Sequence, residues 1–252
     1  MNKAHKMNQI LQLIKDNQHI KQPLNMVRNE GEASLYIYDV IDAYWGVSAL
    51  GVTNELNKAS DASVLNVYIN SAGGSVFEAR AIMAALQRFE GKKIAHIDSL
   101  CASAATSIAL ACDEVTMSDG GMFMIHNASG LAYGDKNAMR DTANLLEKVE
   151  GAIVNDYVTK TGKEMQDIVD MMNAETWMTA QEALDNGFID SIKPSPTASK
   201  PKNAWNLSAY ANAPKIEPEP EPVKGEPQEP AQEAGFFMSQ SNKNRLTLLT
   251  SF

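Results

Sequence analysis

Of the ten prolines in this chain, nine stand at or beyond Pro194, so the stretch before it is the part free to run through long helices and central strands. The globular part is therefore expected to end near residue 193. From Pro214 to Pro230 the text PKIEPEPEPVKGEPQEP is proline and glutamate at low complexity, too polar to collapse and stiffened toward an extended form. Residues 194–235 read as a linker, and the apolar, slightly basic FFMSQSNKNRLTLLTSF over 236–252 as a terminal peptide held away by it. The first thirty residues, 1–30, read as a polar helical segment, which leaves 31–193 as the main domain.

Within that domain, short runs rich in β-formers alternate with helical patterns. LYIYDVI (35–41), VLNVYIN (64–70), KIAHID (93–98), EVTM (114–117) and MFMIH (122–126) are expected strands. Between the second and third, residues 76–89 place Phe77, Ala81, Ala84, Ala85 and Phe89 at helical spacing, which predicts one buried face. A long helix is predicted over 136–160, with Met139, Leu146, Val149, Ile153 and Tyr157 on its buried stripe and Gly162 just past its end. A shorter one starts at Thr179, where T-A-Q-E forms a capping box, and stops at Gly187. Strands alternating with helices predict an α/β domain with a largely parallel sheet.

Charge and cysteine usage narrow the partners. A net charge of −9 leaves no broad basic surface, which argues against nucleic acid and against an anionic membrane. No run of about eighteen apolar residues is present to span a bilayer. The N-terminus has the lysines of a signal peptide, but polar residues interrupt its apolar ones and no small-residue cleavage site follows. Cys101 and Cys112 fall in one small-residue stretch read as helix, about three turns apart, too far to bridge, and are expected as reduced thiols in a cytoplasm.

Three places can carry chemistry. In YINSAGGSVFEAR a strand ends at Gly73-Gly74 and a helix begins at once, a turn that brings backbone N–H groups close to a ligand; the bland alternative is a tight turn. In CASAATS (101–107) a helix is expected to open at Ser103 among alanines, where small neighbours leave room for a substrate backbone. Thr106 and Ser107, and Ser103 itself, can equally be packing residues bonded back to helix carbonyls. In MFMIHNAS, His126 ends an apolar strand, while His5 and His19 lie in the polar N-terminal segment and His96 is mid-strand. A serine nucleophile needs such a base, and the base needs a carboxylate to orient it. Glu175 in NAETWMTAQEA is the leading candidate, with Asp170, Asp113 and Asp119 left open.

YINSAGG, CASAATSIALA, MIHN and ETWMTAQEALDNGFID, in that order and spacing, resemble the proteolytic subunit of the Clp protease, over roughly residues 31–192. The resemblance implies a ClpP/crotonase-like fold of repeated β-β-α units followed by a disordered Pro/Glu-rich tail. It places the nucleophile on Ser103, the base on His126 and the acid on Glu175, where the family usually has aspartate. It puts the oxyanion donors on the backbone N–H groups of Gly74 and Ala104. Cys101, two residues before Ser103, is read as packing, with a rival nucleophile as the alternative. Ala72, Ser99 and Ala128 replace residues the family usually has as proline, glycine and proline. LYIYDVI, Trp45 and ETWMTA resemble the phage head maturation branch. The family resemblance implies a homo-oligomeric ring with contacts on the long helix and no cofactor or metal, and the phage branch implies capsid or scaffold proteins as substrates and a location in the host cytoplasm and procapsid interior. Two alternatives stand beside it: a housekeeping peptidase fed by an unfolding ATPase, and a catalytically silent shell or scaffold protein.

Overall fold

The computed structural model describes residues 9–20, 22–194 and 205–214. Helix α1 (Gln9–Asp16) and a 3-10 turn (Gln18–Ile20) lead into a hairpin of β1 (Asn25–Asn29) and β2 (Glu32–Ile37), so a strand falls inside the stretch expected to be helical. Gly31 turns the hairpin at φ +76, a region that favours glycine. There follow α2 (Ala49–Lys58), β3 (Val64–Ser71), α3 (Val76–Gln87), β4 (Lys92–Ala102), α4 (Ala104–Leu110), β5 (Glu114–Ser118) and β6 (Met122–Ile125). The last part of the domain is α5 (Lys136–Thr161), α6 (Met165–Asn173), β7 (Thr176–Thr179), α7 (Ala180–Asp185) and β8 (Ser191–Lys193).

The sheet runs β1-β2-β3-β4-β5-β8, and β6 leaves it beside β4 to pair with β7. Apart from β1–β2 and β6–β7, the pairings are parallel, as the alternation predicts. Strand β4 forks: Ile94–Ile97 pair with β5, and Leu100–Ala102 pair with β6. It thus runs four residues past the expected end at 98, because its last residues find a partner far away in sequence. Strand β2 ends earlier than expected, at Ile37, and Ile41 makes only isolated bridges to Val47 and Gly74.

The helical faces differ in phase from the sequence pattern. On α3 the buried residues are Ala79, Ile82, Met83, Ala85 and Leu86, while Phe77 is 68% exposed, so Phe77 does not belong to the core face. On α5 only Ile153, Val154 and Tyr157 are buried, and Met139 near its start is 42% exposed. Gly162 caps α5 in the left-handed region at φ 69, and Thr179 and Glu182 form the reciprocal capping box of α7, both as the sequence indicates. Cys101 is on β4 rather than in a helix, Cys112 follows α4, and both are free and buried.

Among the described residues two apolar clusters result. The larger joins the helices to one face of the sheet through Leu65, Val67, Ile69, Ile82 and Ile108. The smaller lies over Ala72, Leu100, Ala102 and Met124, and its cover comes from Leu13 and Ile14 of α1 together with Trp205 and Tyr210. The compact unit accordingly reaches Pro214, beyond the boundary expected near 193, because two aromatic side chains in the presumed linker find an apolar surface to cover. The rest of that linker and the peptide 236–252 lie outside the described residues.

Candidate active site

The forked strand creates the site. Pairing of Ala102 with Met124 and the bond from Ser103 N to Met124 O (2.9 Å) bring the end of β4 beside the end of β6. Antiparallel pairing of Ile125 with Thr176 then sets the next residues, His126 and Glu175, across from each other. Three residues distant in sequence therefore meet through two strand registers.

Ser103 sits at φ 54, ψ −125, a conformation that costs a side-chain-bearing residue about 1–3 kcal/mol and is kept only where surroundings impose it. Its Oγ lies 2.7 Å from His126 Nε2. Among the three hydroxyls of residues 101–107, Thr106 takes the packing role, donating from Oγ1 to Ser103 O at 2.6 Å. Tyr157 must then donate its own hydroxyl proton to Thr106 Oγ1, 2.6 Å away. Ser107 lines a small void behind Ser103 and His126.

The double glycine is required by space. Gly73 is at φ +85, and a Cβ there would stand 2.5 Å from Ala102 O and 2.8 Å from the Ser103 Cβ. Gly74 is at φ +146, and a Cβ there would collide with the Ile41 carbonyl. Bonds from Ile41 N to Gly73 O and from Ser75 N to Ile41 O, both 2.8 Å, hold the turn. Gly74 lines a cavity of about 290 Å³ together with Ser103, His126, Leu131, Leu146 and Tyr210. Ala104 opens α4, whose first N–H groups have no partner within the helix.

His126 is held below the usual histidine pKa by burial, and the negative charge of Glu175 opposes that shift. Among the described residues no hydrogen bond joins the two. The Glu175 carboxylate instead accepts from Trp177 Nε1 (3.2 Å), Ala211 N (3.0 Å) and Asn212 N (2.6 Å). Glu175 is itself at φ 49, the other non-glycine at positive φ among the described residues. The alternative carboxylates lie elsewhere: Asp170 is bonded by Gln166 on α6, Asp113 by the Lys93 amide at the far end of β4, and Asp119 follows β5. Cys101 is wholly buried and its thiol is pushed up by that burial, so it does not compete with Ser103 at the cavity.

His96 has a separate explanation. It bonds Thr116 and Asn66, each at 2.9 Å, and burial with the adjacent Lys193 ammonium lowers its pKa to about 4. Sequence reasoning missed Tyr210, whose ring meets His126 edge-on at 5.3 Å. The only sign of it was a pair of aromatics in AWNLSAYANAP, which the neighbouring prolines obscure.

A sheet whose strand ends set a hydroxyl against an imidazole beside a double-glycine turn defines a ClpP-like α/β scaffold. The solved structure of a point mutant of ClpP1 from Listeria monocytogenes shares this fold, with a TM-score of 0.58 and 21% identity over 64% of this chain and 91% of that one. The chain belongs to the Clp protease family, whose model matches residues 31–195. It is similar to the ATP-dependent Clp protease proteolytic subunit 1 of Protochlamydia amoebophila, at 26% identity over 63% of this chain and 79% of that protein. The corresponding subunit of Bacteroides fragilis is 26% identical over 63% of this chain and 77% of its own length.

Proposed function

We propose that the chain is a serine endopeptidase that hydrolyses peptide bonds through an acyl-enzyme. The observation that carries this reading is the 2.7 Å contact of Ser103 Oγ with His126 Nε2 at the wall of an open cavity. His126 takes the hydroxyl proton as Ser103 attacks the scissile carbonyl, then gives it to the leaving amine; water repeats the cycle on the acyl-enzyme. The N–H groups of Gly74 and Ala104 receive the developing oxyanion, a contribution on the order of 3 kcal/mol per donor. Glu175 supports the imidazolium by its charge. Burial of His126 keeps it neutral, as a base must be, over more of the pH range.

The finer reading is a phage prohead maturation protease, a ring of copies acting on capsid or scaffold protein. Its support is the sequence resemblance of LYIYDVI and ETWMTA, together with the additions that flank the matched span on both sides. The similar proteins are named as ATP-dependent, which favours as a second reading a peptidase fed by an unfolding ATPase. One experiment addresses all of these. The chain and its Ser103→Ala form are treated with a fluorophosphonate, then incubated with scaffold protein, with and without a Clp ATPase, and the fragments are read by mass spectrometry. Labelling and cleavage should fall by about 10⁴-fold or more in Ser103→Ala with melting unchanged. Undiminished cleavage by that variant removes Ser103 from the role. Cleavage that needs the ATPase selects the second reading, and no labelling of the parent chain leaves a silent shell protein.

A further inference from the structure

We infer that residues 205–214, outside the span that the family model matches, form part of the catalytic centre, with Tyr210 as the positioning residue for His126; this rests on the serine peptidase reading above.

The segment touches each of the three candidate groups. The Tyr210 ring meets the His126 imidazole edge-on, at 5.3 Å and 81°, and its hydroxyl reaches Ser103 while donating to Ala72 O beside the double glycine. The next two backbone amides, of Ala211 and Asn212, bind the Glu175 carboxylate, and the Asn212 side chain donates to Ala174 O at 2.9 Å. Three N–H donors, counting Trp177, therefore fix the carboxylate, so that it acts on His126 through its charge and not through a hydrogen bond. An imidazole without that hydrogen bond needs another restraint on its ring plane. Tyr210, only 5% exposed and itself wedged edge-on against Trp177 at 5.7 Å, supplies one.

The segment is tied down away from the site. Trp205 Nε1 donates to Asn70 Oδ1 (2.9 Å), Asn206 exchanges two bonds with the Asn17 side chain (2.6 and 2.9 Å), and Gln9 Nε2 donates to Ala209 O (3.2 Å). It is not a plug. With it in place the Ser103–His126 contact is made, and the cavity stays open with Tyr210 as one wall.

The test compares Tyr210→Phe and Tyr210→Leu in the full chain, by the rate of fluorophosphonate labelling at Ser103 separated into maximal rate and half-saturating concentration. Leucine fills the apolar cluster without offering a ring edge; phenylalanine keeps the ring. Tyr210→Leu should lose about 10²-fold in maximal rate at an almost unchanged half-saturating concentration, and Tyr210→Phe should stay within about threefold of the parent. A merely structural role predicts that both variants follow their melting temperatures instead. Tyr210→Leu labelling as fast as the parent, or faster as a displaced lid would, overturns the inference. If Tyr210→Leu melts below assay temperature, Tyr210→Phe decides alone: a folded Tyr210→Phe that loses the full 10²-fold overturns the role of the ring. A parent chain that does not label at Ser103 removes the peptidase reading, and this inference with it, whereas labelling in the parent and equally in both variants removes only the inference.

Discussion

At the level of single residues, the site depends on two backbone conformations that side chains disfavour. Ser103 and Glu175 both have positive φ, and both are held by bonds made elsewhere: Ser103 by its amide on Met124, Glu175 by the amides of 211 and 212. His126 lies between opposing influences, with burial lowering its pKa and Glu175 raising it. Because the base must be neutral, activity is lost as pH falls through the His126 pKa, so the acid limb of the labelling rate should lie below the ordinary histidine value of 6.5. Glu175→Gln removes the raising influence, and the limb should move further toward acid while the maximal rate drops; a limb that stays in place separates Glu175 from His126 electrostatically. Ser103, His126 and Gly73-Gly74 are legible because each is a local pattern at the end of an apolar run. The partner of Glu175 is not, since its hydrogen bonds come from residues 211 and 212, in a stretch whose composition reads as linker.

At the level of elements, β4 shows why boundaries escape a reading of local pattern. KIAHID looks complete at 98, yet the residues after it continue as strand because β6 offers Met122–Met124 as partners, and that continuation delivers Ser103 to His126. The phase of α3 departs from the local pattern for a related reason: Phe77 is apolar and at helical spacing, but the face that packs inward carries Ala79, Ile82 and Leu86. Helix α5 has the opposite lesson. Its apolar stripe includes Met139, which is 42% exposed, and Leu145 further along the same half of the helix is 52% exposed. Under the proposed ring assembly a second copy covers that half of α5. Met139→Glu should then reduce the mass measured by light scattering while leaving the melting temperature of the chain nearly unchanged, since an exposed substitution is worth within about 0.5 kcal/mol. Unaltered mass places the contact between copies on another element.

At the level of the whole molecule, the stretches on either side of the matched span meet on one surface. Helix α1 and residues 205–214 cover the smaller apolar cluster, and Asn17 joins them: it is 2% exposed, donates to Leu13 O and Asn206 O at 2.9 Å each, and accepts from Asn206 N at 2.6 Å. Asn17→Ala removes the two bonds that tie the backbone of the exposed Asn206 to a buried side chain, which should cost about 0.5–1.5 kcal/mol per bond. The cost should appear first as local opening of 205–214 and not as global unfolding, because the larger cluster shares none of these residues. Amide exchange separates the cases: Asn206, Ala211 and Asn212 should lose protection while β3 and β4 keep theirs. If β3 and β4 lose protection equally, the two clusters form one cooperative unit, and the terminal cover is as much a part of the fold as the sheet beneath it.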